Sequence, residues 1–448
     1  MTVGFDTLMR RAGQSLRALL LLVVATAASA SDLPPPVRDA DYVAVNPAEA
    51  RLGQLLFYDP ILSGNRNIAC ASCHSQRFGT ADGVSLNLGE GGVGLGPDRR
   101  ADPSNMPEQR VPRNAPGLWN LGARAFTTLF HDGRIEADAS KPGGIRTPLG
   151  GDMAVGFSGV LSAQTMFPVL SQDEMAGHYS ENEISRAVRQ GRITGEGGAW
   201  SLIAARVAGI DEYERMFSSV FPEIAAGRPI AFTDISNAIA AFMAFEWRSD
   251  DSPFDAHLRG ETALTGAAME GLTLFYGAAK CATCHSGPFQ SDQRFYAMGA
   301  PQIGPGKAAR FESHARDEGR LRVTGDAADA YRFRTPSLRN VMLTAPYGHA
   351  GAHRDLRGFL RAHLSPDTAY DRSQALLPEL PGAEDWQALD DAENRAAILA
   401  AFEGPAVTLS ETELDVLLAF LDSLTGAGAR TGRLGVPDRV PSGLPVDR

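Results

Sequence analysis

Cys70-Ala71-Ser72-Cys73-His74 is the stretch that decides the fold, and Cys281-Ala282-Thr283-Cys284-His285 repeats its pattern. Two cysteines separated by two residues and followed at once by a histidine form the attachment signature of a c-type haem. One helical turn presents both thiols to the vinyl groups of one porphyrin, and the adjacent imidazole ligates the iron. We therefore predict two covalent haems, with His74 and His285 as proximal ligands.

These two motifs contain all four cysteines of the chain. Two structural disulfides are an alternative, but a disulfide across two intervening residues is strained and leaves both histidines without a role. Zinc held by two Cys-x-x-Cys pairs is a second alternative. Haem attachment is favoured over zinc because it also accounts for His74 and His285.

The chain has 448 residues and a formal net charge of -11. This length suits two or three domains, and the acidic balance argues against nucleic acid and for a basic protein partner. Residues 1–30 combine Arg10, Arg11 and Arg17 with an apolar run that ends in small residues at Ala30, which is typical of a secretory signal peptide cleaved there. No later stretch approaches the roughly 18 apolar residues of a membrane span. We expect a periplasmic protein, because c-type haem is attached outside the bacterial cytoplasm.

The remaining chain predicts a mainly α protein of two cytochrome c-type haem domains with long irregular loops, at residues 31–228 and 229–448. Helical spacing over residues 51–57 leads into the first motif, and residues 270–276 approach the second in the same way, which indicates duplication. Residues 79–117, rich in Gly and Pro, form a long loop of the kind that is often functional.

Two helices are predicted outside the motifs. A strongly amphipathic helix follows Ala231, with Ile235, Ile239 and Phe242 on one face, and we expect it to pack on the second haem domain. Ser410 begins a capping box that starts the final helix. Few stretches of the sequence show the alternation that predicts β-strands.

Further short sequence stretches lie before, between and after the two haem motifs. They are Arg51-Leu52-Gly53, Asp59-Pro60, Arg113-Asn114-Ala115-Pro116, Asp132-Gly133-Arg134, Pro168 to Met175, Ser252-Pro253-Phe254, Arg334 to Asn340, and Thr344-Ala345-Pro346-Tyr347 with His349 and Gly351. With the two haem motifs among them, the chain resembles the bacterial di-haem cytochrome c peroxidase and MauG family from about residue 45 to 426. The resemblance implies two mainly helical cytochrome c domains and a calcium ion between them.

In that family the N-terminal haem reacts with hydrogen peroxide, and a glutamine and a glutamate line its open face. Counting from the matched segment Pro168 to Met175 gives Gln164, which lies just before it, and Glu174, which lies within it, as the corresponding residues. A carboxylate there can move a proton from the inner to the outer peroxide oxygen, which makes water the leaving group. Without the resemblance, both residues would be interpreted as ordinary surface residues.

No histidine occurs between His74 and His131, whereas many peroxidases of the family keep one in that loop as a removable sixth ligand. Met106 is the other residue that could take this role, although most methionines in loops do not ligate iron. A five-coordinate first haem is therefore expected, as in MauG-like members.

Two positions depart from the family pattern. His131 stands where the family usually has a tryptophan between the haems, and we include it among the candidate catalytic residues because an imidazole can bridge by hydrogen bonding. Trp119 lies nearby in sequence.

The far ligand of the second haem is methionine in the peroxidases and tyrosine in MauG, and alignment brings His363 to that position. An imidazole would lower the potential of this haem relative to a methionine. The competing ligands are Tyr370, Met342, His349 and His353.

The calcium site of the family uses an asparagine side chain and two backbone carbonyls, which correspond to Asn114, Thr344 and Pro346. Hard calcium prefers such oxygen ligands.

The leading hypothesis is a periplasmic di-haem peroxidase-type oxidoreductase (EC 1.11.1.-) that takes electrons from a small cytochrome c or cupredoxin. A MauG-like enzyme that oxidises an aromatic side chain of a partner protein is an alternative. A non-catalytic di-haem electron carrier, with both irons six-coordinate, is the alternative from another class.

Overall fold

The computed structural model describes residues 33–308, 312–367 and 369–448, so the predicted signal peptide lies outside the described residues. Helices dominate the regular structure, as predicted, and none in the described ranges is long and apolar enough to cross a membrane. The α-helices are α1 (Pro47–Tyr58), α2 (Val160–Ala163), α3 (Glu183–Arg189), α4 (Ala199–Ala208), α5 (Asp211–Val220), α6 (Pro222–Ala225), α7 (Phe232–Glu246), α8 (Pro253–Leu258), α9 (Gly266–Tyr276), α10 (Leu321–Thr324), α11 (Leu356–Leu364), α12 (Gln387–Asp390), α13 (Ala392–Ala400) and α14 (Glu411–Asp422).

Short strands form three small antiparallel sheets in the described part of the chain. The strands are β1 (Gly92–Val93), β2 (Arg100–Ala101), β3 (Thr128–Leu129), β4 (Ile135–Ala137), β5 (Ile145–Arg146), β6 (Phe295–Tyr296) and β7 (Phe333–Arg334). In the three-stranded sheet β4 is central, with Glu136 opposite Thr128 on one side and Arg146 on the other. The β6–β7 pair sets Phe295 opposite Arg334, which places Arg334 beside the segment that follows the second motif.

Helix α1 leads into the first motif. The Asn46 side chain caps it by accepting a hydrogen bond from the Ala48 N–H, and Pro47 occupies the first turn, where no N–H is needed. The helix meets α7 at Gly53, where an added Cβ would lie 1.8 Å from the carbonyl oxygen of Ala238. Only glycine permits this approach.

Helix α9 leads into the second motif and meets α14 in the same manner. An added Cβ on Gly271 would lie 1.9 Å from the carbonyl oxygen of Val416. Gly53 and Gly271 both stand three residues before a Leu-Phe-Tyr stretch, so the two halves share sequence pattern as well as packing. Helix α14 begins with the predicted capping box of Ser410 and Glu413.

Two hydrophobic clusters form the cores of the two halves. Helix α7 contributes Ile235, Ile239 and Phe242 to the first cluster, against α1. The expectation that this helix packs on the second haem domain is therefore wrong, because an amphipathic pattern marks the buried face of a helix but names no partner. The predicted division after residue 228 stays a prediction, and the packing of α7 favours a division after Trp247.

Residues 427–448 return to the first half of the molecule. The Glu246 carboxylate accepts hydrogen bonds from the backbone N–H groups of residues 433–435. Further along, the Ser72 hydroxyl donates to Asp447 Oδ2 at 2.5 Å, inside the first motif. Ser72 is consequently 2% exposed, whereas the equivalent Thr283 of the second motif is exposed.

Candidate haem sites

The first motif forms a short helical turn, Cys70–Ser72, beyond the end of α1. His74 Nδ1 lies 3.0 Å from the carbonyl oxygen of Thr80, which acts as a hydrogen-bond acceptor for Nδ1–H. This bond leaves Nε2 free to ligate a metal and fixes the ring orientation. Burial lowers the pKa of His74, so the imidazole is neutral, as a ligand must be.

The second motif has the same construction. It forms the turn Cys281–Thr283, and His285 Nδ1 lies 3.1 Å from the carbonyl oxygen of Gln290. Burial lowers the pKa of His285 as well. The four thiols are free, so neither motif is closed by a disulfide. No group of three or more His, Cys, Asp or Glu side chains in the described residues could hold a metal ion such as zinc.

A cavity of about 290 Å³ lies beside the second motif, with His285 and His363 in its wall. Their ring centroids are 6.3 Å apart. Two imidazole nitrogens that each lie about 2 Å from one metal ion would separate the centroids by roughly 6 Å. The residues therefore fit an iron held between His285 and His363, within an apolar wall that includes Phe275, Leu417 and Leu421.

His363 lies in the last turn of α11, where its ring stacks on Phe359 at a centroid distance of 5.2 Å. Burial, with a smaller contribution from His285, lowers the pKa of His363 to about 3, so this imidazole is also neutral.

The competing ligands are Tyr370, Met342, His349 and His353. The Tyr370 hydroxyl donates to the carbonyl oxygen of Ala352, and the Met342 side chain is 36% exposed. His349 stacks on Phe333 at 3.9 Å, and His353 packs against the rings of Phe359 and Tyr370. Only His363 is paired with His285 among the ring contacts of the described residues.

Glu174 lies in a single wide helical turn, Gln172–Ala176. The long loop of residues 79–117 holds this turn, because the Glu90 N–H donates to the Asp173 carbonyl at 2.9 Å and Gln109 Nε2 donates to Asp173 Oδ2 at 2.6 Å. Burial raises the pKa of Cys73 to about 12, and the charge of Glu174 adds to this rise. Glu174 therefore lies within electrostatic reach of the first motif.

Burial also raises the pKa of Glu174, while the positive charges of Lys307 and Arg134 oppose this rise. Lys307 comes from the second half of the chain, and sequence reasoning did not identify it. Lys307 lies in a Gly-rich loop far from Glu174 in sequence, and no local pattern indicates that the two residues are close.

Gln164 begins the short turn Gln164–Met166 directly after α2, and its side chain is half-buried. Helix α7 holds this segment, since the Thr165 hydroxyl donates to Ser236 Oγ at 2.6 Å. The Gln164 amide makes no hydrogen bond to another described residue. The structure thus places Gln164 in the series of turns that leads to Glu174.

His131 lies at the junction of the two halves and lines the cavity beside the second motif. Its Nε2 lies 3.1 Å from the carbonyl oxygen of Asn114. Burial, followed by the charge of Arg113, lowers the pKa of His131 to about 3, so the imidazole is neutral. Trp119 also lines this cavity, while its indole N–H donates to the Gly79 carbonyl at 2.9 Å, in the loop after His74. The structure therefore places an indole between the two motifs, at a different position from the family tryptophan.

Two of the three predicted calcium ligands, Asn114 and Pro346, meet at the same junction. Asn114 Nδ2 donates to the carbonyl oxygen of Pro346 at 2.8 Å, and Thr344 lies two residues before Pro346. Asn114 Oδ1 is buried and has no hydrogen-bond partner in the described structure. An unpartnered amide oxygen beside backbone carbonyls fits a hard, oxygen-seeking cation.

Comparison with known proteins agrees with this geometry. A family model described as di-haem cytochrome c peroxidase matches residues 47–263. The chain is 28% identical to the cytochrome c551 peroxidase of Pseudomonas aeruginosa over 314 residues, which cover 70% of each protein. It is 27% identical to the methylamine utilization protein MauG of Methylorubrum extorquens, over 71% of this chain and 69% of MauG.

A crystal structure of a MauG-like protein associated with microbial copper homeostasis is also similar. It superposes with a TM-score of 0.58 and 26% identity, over 89% of this chain and 94% of that protein. The duplicated motifs, their matched histidine environments and these similarities agree, and the chain belongs to the di-haem cytochrome c peroxidase and MauG family of oxidoreductases.

Proposed function

We propose that this oxidoreductase cleaves hydrogen peroxide at the haem ligated by His74 and receives electrons through the haem ligated by His285 and His363. The difference between the two motifs supports this assignment. His285 has an imidazole ring opposite it, whereas no ring contact in the described residues pairs His74 with a second imidazole. An iron with two protein ligands suits electron transfer, and an iron with one has room for a substrate.

At the first site, His74, Cys70 and Cys73 would hold a haem, whose iron would supply the electrons needed to split the O–O bond. The ionised Glu174 carboxylate accepts a proton from one peroxide oxygen and returns it to the other, so that water leaves. Lys307 and Arg134 favour the ionised form of Glu174 against its burial. Gln164 provides an amide that can orient the peroxide by hydrogen bonding.

Electrons reach the first site from the second across the junction that contains His131 and Trp119. Their source is a small redox protein such as a cytochrome c or a cupredoxin. Export to the periplasm agrees with residues 1–30 and with the covalent haems. Asn114 and the carbonyls of Thr344 and Pro346 would hold a calcium ion that joins the two halves.

The MauG-like alternative is favoured by the His285–His363 pair. Two imidazoles stabilise ferric iron more than an imidazole and a thioether do. His285 and His363 would then favour the oxidised state of the group they hold, which suits oxidation of an aromatic side chain of a protein substrate.

EPR spectroscopy of the ferric protein, followed by stopped-flow mixing with peroxide, tests the proposal. We expect one high-spin and one low-spin haem, and a rapid change of the high-spin signal with peroxide. Two low-spin haems that do not react with peroxide would instead identify an electron carrier. Turnover with a reduced cytochrome c distinguishes peroxide removal from the MauG-like reaction, which leaves this donor unoxidised.

A further inference from the structure

Three cationic side chains line the cavity of the second haem motif within the described residues, and their partners differ. Arg339 is paired, because its Nη1 lies 2.7 Å from Asp255 Oδ2 in a fully buried ion pair. Lys280 is exposed to solvent. Arg334 has neither a carboxylate partner in the described structure nor an exposed position.

The hydrogen bonds of Arg334 all go to neutral oxygens. Nε donates to the Phe130 carbonyl at 3.2 Å, and Nη1 donates to Gln293 Oε1 at 3.1 Å and to the Thr335 carbonyl at 3.3 Å. Burial lowers the pKa of Arg334 to about 10. The side chain therefore still carries its charge at neutral pH, although no carboxylate among the described residues neutralises that charge.

Arg113 provides a contrast. Arg113 is a buried arginine at the junction of the two halves, whereas Arg334 is half-buried, and Asp132 and Asp317 both accept hydrogen bonds from Arg113, at distances of 2.7 and 2.8 Å. A buried cation of this kind is stable when carboxylates balance it, and an unbalanced one is costly. The other titratable groups in the cavity wall beside Arg334 cannot balance it, since His131 and His349 are neutral.

We propose that Arg334 binds a propionate carboxylate of the haem attached at Cys281 and Cys284 and thereby raises the potential of that haem. A haem carries two propionates, and the planar guanidinium matches a carboxylate in charge and shape. A cation paired with the haem disfavours the extra positive charge of ferric iron. The Arg334 N–H also donates to the His131 carbonyl at 2.7 Å, so the same residue connects this haem to the junction. The inference rests on the proposed function only for the presence of the second haem, and not on peroxide turnover.

Arg334→Gln, Arg334→Lys and the control Arg332→Gln test this assignment by redox titration of the second haem in the full-length holoprotein. Arg332 lies two residues away, on the surface, where it pairs with Glu403 and Asp329. We expect Arg334→Gln to shift the equilibrium toward ferric haem at least tenfold, which is a fall of about 59 mV for one electron. The potential of the first haem in Arg334→Gln should stay near its wild-type value. The potential of the second haem in Arg332→Gln should also stay near its wild-type value.

The lysine variant should restore most of the lost potential, because it keeps the charge. An unchanged potential in a fully haem-loaded Arg334→Gln protein would overturn the assignment. Equal shifts in Arg334→Gln and Arg332→Gln would also overturn it. If the glutamine variant does not retain the second haem, the lysine variant decides: a tenfold shift despite the retained charge contradicts the proposal, and a potential near wild type supports it. If the variants shift the potential of the second haem as expected but the wild-type protein does not react with peroxide, the proposed function is rejected and the assignment of Arg334 stands.

Discussion

At the scale of the residue, His74 and His285 are prepared for ligation in the same way, since a backbone carbonyl accepts each Nδ1–H at 3.0 and 3.1 Å. Such a bond sets the tautomer and makes the free nitrogen a better ligand. The residues beyond each imidazole differ. His285 meets His363, whereas the half-buried carboxylate of Glu174 lies within electrostatic reach of Cys73 in the first motif.

Glu174→Gln should slow peroxide cleavage by about 10²- to 10⁴-fold, the usual contribution of a general acid or base. Because burial raises the pKa of Glu174, the wild-type rate should fall as the pH drops through a value above the usual range of glutamate, and the variant should lack this inflection. Stopped-flow rates at several pH values measure both effects. Glu108→Gln, which changes an exposed carboxylate of the adjacent loop, serves as the control. Rates within about a factor of two of wild type would remove Glu174 from the mechanism.

His363→Met should raise the midpoint potential of the second haem, because a thioether stabilises ferrous iron relative to an imidazole. A near-infrared sulfur-to-iron charge-transfer band should appear in the variant and be absent from the wild type. The potential of the first haem is the internal control. If neither the spectrum nor the potential of the second haem changes, the iron takes its ligand elsewhere.

At the scale of the element, each haem motif follows a helix that meets its partner through a glycine. Gly53 brings α1 against α7, and Gly271 brings α9 against α14. The close approach sets how near each of these helices lies to its partner in the core, ahead of the Cys-x-x-Cys-His turn. The wide turn that carries Glu174 depends instead on loop contacts.

Gly271→Ala should destabilise the second half by about 1–3 kcal/mol or more, because the new methyl group overlaps the Val416 backbone and forces the helices apart. Thermal unfolding followed by circular dichroism measures this loss. Gly358→Ala is the matched control: it lies in α11, where the nearest atoms belong to the Asp355 side chain at 3.3 Å. Equal stabilities of the two variants would contradict the packing argument.

At the scale of the whole molecule, buried polar groups join the two halves. Arg113 contacts Asp132 from the first half and Asp317 from the second, and Arg320 donates to the carbonyl oxygens of Asp132 and Gly133. These contacts surround His131 and Asn114. These buried arginines would lose their hydrogen-bond acceptors if the two halves separated. They therefore hold the two haem sites in a defined relative position.

The purified protein should carry two covalent haems, one in each motif. Replacing Cys281 and Cys284 by alanine should leave one haem, and replacing Cys70 and Cys73 should leave the other. Intact-protein mass spectrometry counts the haems, with the wild type as reference. A wild-type protein with one haem or none would contradict the haem assignment.

Removal of calcium should lower the thermal stability of the junction. An ion bound only by the folded protein stabilises it by about 2.7 kcal/mol at a concentration of 100 times its Kd. Melting temperatures with EGTA and with added calcium measure this effect, and Asn114→Ala should abolish the difference. A melting temperature that is the same with EGTA and with calcium would reject the site.

Much of the candidate site could be predicted from the sequence because its determinants are local. The five residues of each motif specify attachment and proximal ligation within one turn, and the comparisons confirm the family that the ordered motifs indicated. His363 was predicted by alignment, and the structure places it opposite His285. The partner of α7 was predicted wrongly, and the roles of Lys307 and Arg334 had no signal in the local sequence.

By itself, the sequence determined the attachment of two haems, the helical class and the duplicated approach to each motif, since spacing and periodicity act over a few residues. Only the tertiary structure decided that α7 joins the first core and that residues 427–448 cover Ser72 while Thr283 stays exposed. It also decided that Arg334 has no carboxylate partner in the described part of the chain. Each of these facts depends on which surfaces meet across hundreds of residues. Shape and charge complementarity in the folded chain select those contacts, and no local pattern encodes them.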